Sequence, residues 1–301
     1  DKHVLKRREQ NGLKAFDRKD GFQAPIKHLN EGGSLGILVD QSAGYKGIWC
    51  PLFGKLASTS NLAPLIAKKT GATMYPYFVS TLKPAKWKIT VNKPLQVDKG
   101  EKISKTTARM NLEVEKMIRS SPEDWFWLHD RWKVPKTKFL TYYHKRGYYI
   151  PSDFDRETLK KFKILILAPN TEEKCKLSIG AIKKIEEGRP DAEITILCDS
   201  DLFPLWNSQE NHFQIIEKDL LGWNKDLSEK ITNSVFDAAV LFQESKEDTK
   251  KIKQCGIPHI AGCSSNECNK FLDHVIQNDH IEKSSDYYLK IAESIGAEKT
   301  V

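Results

Sequence analysis

The second half of the chain alternates short apolar runs with stretches of helical periodicity, and this alternation limits the fold more than any other feature. Runs of this length, bounded by turn residues, are typical of buried strands. Strands that alternate with helices predict a parallel sheet covered on both faces. The predicted strands are 163–168, 192–198, 211–217, 236–242 and 257–262, and the predicted helices lie near 175–188, 225–233, 246–254 and 284–296.

The first half mixes helices, strands and glycine turns. The run 34–40 ends in Asp40 and opens into a glycine-containing loop, so it is predicted to be a buried strand with an acid at its tip. Such a carboxylate either caps a turn or belongs to a site, and the residue type alone leaves both interpretations open. Further strands are predicted at 73–80 and 86–92, and helices at 22–30, 62–69, 104–120 and from Ser121 onwards.

Periodicity fades between residues 136 and 160, which predicts a linker between a domain at 1–135 and a domain at 161–301. The net charge of +8 is unevenly spread, because basic residues dominate residues 1–150 and acidic residues the remainder. This asymmetry favours two domains with different partners. A basic half could meet nucleic acid, anionic lipid or an acidic carrier protein, or could simply be solvated, and charge alone does not choose.

The termini and the cysteines narrow the class of protein. No apolar run approaches the roughly 20 residues of a membrane-spanning helix, and no signal peptide is visible. The sequence starts without methionine within a helical pattern, so we expect its true start to lie upstream. The cysteines form no C-x-x-C pair and are predicted to be reduced, buried thiols of a cytosolic protein. A metal site at Cys263 and Cys268 is possible but disfavoured, and no cofactor is expected.

Residues 1–135 contain six motifs that together form a distinctive sequence pattern. They are Asp40-Gln41, Pro51 to Gly54, Ala57 to Ala67, Thr70-Gly71-Ala72, Pro76 to Phe78, and Pro122 to Lys133 with its Trp-x-Trp and Arg-Trp-Lys. In this order they resemble the late acyltransferases of lipid A biosynthesis, the lauroyl and myristoyl transferase family. The closing run Pro122 to Lys133 is the most specific part of the resemblance.

The resemblance implies transfer of an acyl chain from the thioester of acyl carrier protein to a hydroxyl of a lipid A precursor. A hydroxyl is a poor nucleophile, so a histidine oriented by a carboxylate must take its proton. The family carries both on a His-x-x-x-x-Asp/Glu motif, which the matching half lacks and which we expect upstream of Asp1, behind a membrane anchor. His212 with Glu217 and His274 with Asp279 match the spacing in the other half, and we reject them as coincidences.

The residues left to support this chemistry are assigned through the resemblance. Arg8 and Asp40 align with functionally important positions, and we expect them to pair, with Arg8 stabilising phosphate or oxyanion charge. Arg7 is an alternative within the alignment, and Arg8 could equally be an exposed helix residue. Gln41, Arg131 and Lys133 are predicted to bind substrate, the two cations by facing anionic lipid, whereas Trp125, Trp127 and Trp132 are predicted to be packing residues.

Residues 162–301 resemble the N-terminal, acceptor-binding half of the heptosyltransferases of the lipopolysaccharide core. The resemblance is carried by 163–167, 188–198, 236–242, 255–262 and 286–296. The family has a Ser-x-Gly-Asp loop after its first strand, with a proposed catalytic aspartate. Here Lys174 falls at that position and Glu173 replaces the glycine. A lysine is a poor substitute at neutral pH, and Glu172 or Glu173 could substitute only weakly, so we expect a degenerate loop.

The sequence therefore predicts an α/β protein in which an acyltransferase-type mixed α/β sheet, truncated at its N-terminus, precedes a Rossmann-like parallel-sheet domain. The predicted function is acyl transfer to a lipid A precursor at the cytoplasmic face of the bacterial inner membrane. The predicted partners are acyl carrier protein, the anionic glycolipid and the membrane surface, without nucleic acid. The alternatives are a glycosyltransferase, or a non-catalytic scaffold that binds glycolipid or carrier protein.

Overall fold

A computed structural model describes residues 2–16, 22–98, 100–141, 144, 146–207, 213–219, 222–277 and 284–298. The helices are α1 (Lys2–Gln10), α2 (Gln23–Asn30), α3 (Leu62–Thr70), α4 (Ile103–Ser120), α5 (Glu172–Glu187), α6 (Phe203–Asn207), α7 (Lys225–Ser234), α8 (Lys246–Gln254) and α9 (Ser285–Ser294). The strands are β1 (Ile48–Leu52), β2 (Lys55–Thr59), β3 (Tyr77–Lys83), β4 (Lys86–Val91), β5 (Phe162–Leu167), β6 (Ala192–Asp199), β7 (Gln214–Lys218), β8 (Ala238–Leu241), β9 (Ile260–Cys263) and β10 (His274–Ile276).

The chain forms two compact units, and their boundaries do not follow chain order. The first unit comprises Asp1–Ala43, Thr59–Arg131 and Tyr149–Pro151, and the second comprises Gly44–Ser58, Trp132–Tyr148 and Ser152–Val301. The first unit therefore holds α1 to α4 and the antiparallel hairpin β3–β4. The second unit holds the parallel sheet and almost all of the β1–β2 hairpin.

The second unit contains the predicted parallel sheet. Its strand order is β10-β9-β8-β5-β6-β7, and its strand pairs are parallel. The chain runs outward from β5 to β7 and then crosses to β8, so the topological switch point lies between β5 and β8. The predicted α/β architecture of this half is confirmed. Strand β10 has only three residues and was not predicted, and residues 211 and 212 of the third predicted strand lie outside the described part.

Both faces of this sheet are buried, which explains the continuous apolar character of its strands. On one face Ile164 and Ile166 of β5 belong to a core with helices α5 and α9. On the other face Leu165 and Leu167 belong to a core with helices α7 and α8. Because successive strand residues point to opposite faces, one strand supplies both cores.

Two predictions for the first half are wrong. The run 34–40 is not a strand, and its Leu38 is 74% exposed. Among the described residues no strand pairs with this run, so its backbone lacks the ladder that a strand needs. Residues 121–133 hold only the 3₁₀ turn Pro122–Asp124 instead of a helix. The carbonyl of Pro122 accepts a hydrogen bond from the indole nitrogen of Trp127 (2.7 Å), and Trp125 itself has an extended backbone that ends the turn.

The motif Pro51 to Gly54 forms the end of β1 and a tight turn into β2. Phe53 and Gly54 have φ angles of +52° and +73°. Positive φ at both central residues is the mark of a two-residue type I′ hairpin turn. A Cβ on Gly54 would lie 2.9 Å from the backbone oxygen of Thr158, so the position has room only for glycine. The hairpin turn therefore contacts the Thr158 backbone within the second unit.

Candidate functional site

Asp40 follows the irregular run 34–39 and is half-buried in the first unit. Its Oδ2 atom accepts a hydrogen bond from the indole Nε1 of Trp125 at 3.1 Å. In the described part of the chain Oδ1 makes no hydrogen bond, so one carboxylate oxygen stays open to a cation or donor. The distance along the chain is 85 residues, and the contact brings the Asp-Gln motif to the closing tryptophan motif.

A buried polar network adjoins the contact between Asp40 and Trp125. The Nη2 atom of Arg131 donates to Oγ1 of Thr59 at 2.8 Å and to Oδ1 of Asn111 at 3.1 Å. All three side chains are completely buried. Thr59 also forms an isolated antiparallel bridge with Ser42, two residues after Asp40. The end of β2, the middle of α4 and the closing motif are therefore fixed together beneath the Asp40 loop.

His129 completes the arrangement, and its role was missed in the sequence. Its Nε2 atom accepts a hydrogen bond from the backbone N–H of Ser42 at 3.0 Å. The lone pair of Nε2 is thus occupied, and a neutral imidazole in this geometry carries its proton on Nδ1. His129 is therefore placed to hold the loop and not to accept a proton from a substrate. We call Asp40, Ser42, Thr59, Asn111, Trp125, His129 and Arg131 the Asp40 cluster.

The other predicted site residues lie in different surroundings. Arg8 is exposed on α1, and the described residues include no ion pair between Arg8 and Asp40. Gln41 and Lys133 are exposed. Arg131 is fully buried, so the expectation that its guanidinium faces anionic lipid is wrong, because Thr59 and Asn111 hold it inside. The structure brings Asp40 to Trp125 and leaves the proposed pairing with Arg8 a prediction.

The tryptophans differ in their packing. The Trp125 and Trp127 rings meet edge to face, with centroids 4.5 Å apart, yet Trp127 is half-exposed. In the second unit, Trp132 donates from Nε1 to the backbone oxygen of Leu52 at 3.2 Å. Of the two rejected histidine motifs, His212 and Asp279 lie outside the described residues. His274 is half-buried, and burial lowers its pKa.

In the second unit, the loop after β5 leads into helix α5. The hydroxyl of Thr171 caps that helix by accepting from the backbone N–H of Lys174 at 3.4 Å. Glu172 is exposed and pairs with Lys176 at 2.6 Å, and this hydrogen bond lowers the pKa of Glu172. A lowered pKa makes a carboxylate a weaker base. Glu173 is exposed and Lys174 half-buried at the start of the same helix.

A charged cluster lies at the carboxyl end of β6 and β7. The ammonium of Lys218 is 3.0 Å from Asp199 and 3.1 Å from Asp248, which also accepts from the indole of Trp223. Burial disfavours the charged lysine, but the carboxylates of Asp248 and Asp199 outweigh it, so the pKa of Lys218 is raised. This cluster joins two strands to helix α8 and acts as a structural clamp.

The cysteines are free thiols. Burial raises the pKa of Cys175 and of Cys198 to about 12, which makes both poor nucleophiles. Cys263 and Cys268 are buried beside a very small cavity. Within the residues that the structure describes, no three potential metal ligands converge. The helices of this same part of the chain include none with the length and apolarity to cross a membrane.

The heptosyltransferase likeness is found among solved structures. Escherichia coli ADP-heptose lipopolysaccharide heptosyltransferase II is 19% identical with a TM-score of 0.39, covering 44% of this chain and 41% of its own. Escherichia coli heptosyltransferase WaaC with ADP is 14% identical with a TM-score of 0.40, covering 46% of this chain and 48% of its own. At such TM-scores the α/β assignment rests on the strand order of the sheet itself.

The first half has relatives in sequence. The lipid A biosynthesis lauroyltransferase of Escherichia coli (strain K12) is 32% identical over 123 residues, which is 40% of this chain. The matched segment also spans only 40% of that relative. The Asp40 cluster lies within the region that matches a family model. The resemblance inferred from the sequence is thereby confirmed: residues 1–134 match the bacterial lipid A biosynthesis acyltransferase family.

Proposed function

We propose that this protein acts in lipid A biosynthesis as an acyltransferase. In this proposal a fatty acyl chain passes from the thioester of acyl carrier protein to a hydroxyl of a lipid A precursor. In this proposal the acyl transfer takes place at the cytoplasmic face of the bacterial inner membrane. The match of residues 1–134 to the acyltransferase family supports the reaction class.

The observation that carries the proposal is the contact between Trp125 and Asp40. It joins the two most informative motifs of the resemblance, which are 85 residues apart in the chain. The buried bonds of Arg131 fix the closing motif, and His129 fixes the loop at Ser42. Such fixed side chains are what a site needs in order to hold a charge in position without reorganisation.

The reaction requires one bond to form and one to break. The acceptor oxygen attacks the thioester carbon, its proton moves to a base, and the carrier thiol leaves as the ester forms. The resemblance assigns the base to a His-x-x-x-x-Asp/Glu motif, and residues 1–135 hold no copy of it. We therefore give Asp40 and Arg8 supporting roles, in which Asp40 orients a cation that faces the oxyanion or a lipid phosphate.

Both proposed substrates are acidic, and the excess of lysine and arginine in the first half suits them. Gln41 and Lys133 are exposed and available for such contacts. No cofactor is needed, because the thioester supplies the driving force for transfer.

For residues 161–301 we propose a binding role and not glycosyl transfer. Lys174 stands where the related enzymes have their aspartate, and Glu172 is engaged by Lys176. Neither is suited to take a proton from a sugar hydroxyl. A domain that binds the glycolipid would raise its local concentration for the acyl-transfer half.

The test is transfer of a radiolabelled acyl group from its acyl carrier protein thioester to purified lipid A precursor by the full-length protein, comparing wild type, Asp40→Asn and Asp130→Asn. Asp130 is an exposed acid in the closing motif and serves as the matched control. We expect Asp40→Asn to lower the rate about tenfold or more, and Asp130→Asn to leave it unchanged.

The same proteins would be tested for binding of each substrate without turnover. Retained binding of the precursor by a wild-type protein that transfers no label would overturn the acyltransferase proposal in favour of a scaffold. Transfer of heptose from ADP-heptose would instead favour the glycosyltransferase alternative.

A further inference from the structure

The hairpin β3–β4 in the first unit has one uncovered apolar face. Directly opposite residues of an antiparallel pair point to the same side of the sheet. Here Tyr77 lies opposite Val91, and Val79 lies opposite Ile89, while Trp87 lies opposite Thr81. These five apolar side chains, which we call the hairpin face, are between 46% and 67% exposed.

The opposite side of the hairpin is the side that packs. Phe78 and Ser80, which alternate with the exposed residues of β3, are half-buried. An isolated two-stranded hairpin is only marginally stable in water, and exposed apolar patches of aromatic and branched residues mark interaction sites. The hairpin face is therefore a surface that another apolar phase would cover.

The charged residues within the hairpin segment itself are all of one sign. Residues 73–97 contain no aspartate or glutamate and four lysines. Lys83 and Lys86 flank the turn and Lys93 follows the second strand, whereas Lys88 lies opposite Ser80 on the other side of the hairpin. All four are exposed, and within the described residues none forms an ion pair. The apolar face therefore has positive charge at its turn and just after its second strand.

A carboxylate outside the hairpin binds its first strand. Asp124 accepts hydrogen bonds from the backbone N–H of Thr81 at 2.8 Å and from its hydroxyl at 2.6 Å. The bond from the Thr81 hydroxyl is the main cause that lowers the pKa of Asp124. Phe126, Trp127 and Leu128, which are also more than half exposed, follow directly along the chain. The closing motif therefore carries a second apolar group just beyond the turn that contacts the hairpin.

We propose that the hairpin face docks onto an anionic lipid bilayer, with the lysines at the phosphates and the aromatic rings in the headgroup region. Tyrosine and tryptophan favour the membrane–water interface, and each lysine near an anionic surface adds attraction. Two copies of this chain that docked through their hairpin faces would bring their lysines close together. The resulting repulsion favours lipid over self-association. This inference deepens the proposed function and rests on it for the identity of the membrane.

The test is flotation of the full chain with vesicles of phosphatidylglycerol and phosphatidylcholine, compared with phosphatidylcholine alone, without acyl donor. We expect binding to the anionic vesicles that weakens with salt. Trp87→Ser with Ile89→Ser, and separately Lys83→Gln with Lys86→Gln and Lys93→Gln, should each weaken it about tenfold or more. The matched controls in the second unit are Val235→Ser, at a 74% exposed valine, and Lys161→Gln with Lys230→Gln and Lys250→Gln, at exposed lysines.

The outcomes separate the explanations. Equal binding by the hairpin variants and the controls would overturn the inference, as would competition by free inorganic phosphate at millimolar concentration. A dimer in light scattering that the Trp87→Ser and Ile89→Ser variant dissolves would assign the face to a second copy. Vesicle binding by a protein that shows no acyl transfer would contradict only the proposed function. Acyl transfer to detergent-dispersed precursor without vesicle binding would contradict only this inference.

Discussion

The two units of this protein use buried arginine in different ways. In the second unit Arg189 forms a bidentate pair with Asp191 at 2.8 and 2.9 Å, and both side chains are almost fully buried. In the first unit, Arg131 donates to the uncharged oxygens of Thr59 and Asn111. The first arrangement lies in the buried connection between α5 and β6, and the second lies next to a candidate site. The difference indicates that one cation holds a fold while the other holds a loop in position.

The largest expected effect is at the ion pair. Asp191→Ala leaves the Arg189 charge buried without its carboxylate, and breaking a buried pair in this way costs about 3–5 kcal/mol. We expect that loss in the free energy of unfolding measured with urea. Asp201→Ala, at an exposed acid, is the control and should change it by less than about 0.5 kcal/mol. A loss below about 1 kcal/mol for Asp191→Ala would show that the Arg189–Asp191 pair contributes little to the stability of the fold.

The network under the site should be the next most sensitive. Asn111→Ala removes one buried acceptor of Arg131, and a lost hydrogen bond to a charged group costs about 1.5–3 kcal/mol. We expect this loss in stability together with slower acyl transfer, because the Asp40 loop loses its support. If activity stayed at the wild-type level while stability fell, Arg131 would hold the fold only, as Arg189 does.

Two glycines offer a matched pair that separates strain from contact. Gly54 and Gly71 have nearly the same φ, +73° and +74°, but only Gly54 has an atom, the Thr158 oxygen, in the way of a Cβ. Alanine at either position costs about 1–2 kcal/mol of backbone strain. We expect Gly54→Ala to lower the urea midpoint further than Gly71→Ala does. Equal effects would show that the Thr158 backbone moves aside freely.

The smallest effect concerns pH. In the second unit burial lowers the pKa of His144, His259 and His274. The unfolded chain binds protons at these groups more readily than the folded one, so stability is complete above about pH 6.5 and falls as pH decreases below it. His144 accepts from the Trp49 indole through Nδ1 at 2.8 Å, and protonation would remove that bond.

Thermal unfolding between pH 7.5 and 5.5 measures this decline, with His144→Gln as the comparison. The variant should lose part of the pH dependence of the melting temperature. An unchanged slope would mean that His144 contributes nothing to it.

The parallel sheet could be predicted from the sequence because its strands are recognisable from short segments of the chain. The central strands β5 and β8 are almost entirely apolar runs, and a one-strand error such as the three-residue β10 leaves the topology intact. The hairpin β1–β2 was missed because Pro51 lies inside β1, where proline argues against a strand. Its turn also lacks the usual Asn-Gly signal, since Phe53 adopts the positive φ.

The candidate site was only partly predictable, because its contacts join residues that lie far apart in the sequence. Asp40 and the closing motif were found through a family resemblance, but their contact spans 85 residues. Thr59, Asn111 and His129 carry no local signal of a site, and only the folded chain brings them together. His129 could have been noticed, because it lies between the tryptophans and Arg131 of the most specific motif.

The central claim is that the closing motif positions Asp40 for acyl transfer. The most direct measurement is the rate of transfer by Trp125→Phe compared with Trp127→Phe. Each variant loses one indole N–H, but only Trp125 donates to Asp40, whereas Trp127 donates to Pro122. We predict a rate about tenfold lower for Trp125→Phe alone, because small misplacements of supporting groups are costly. Equal rates for the two variants would contradict the account.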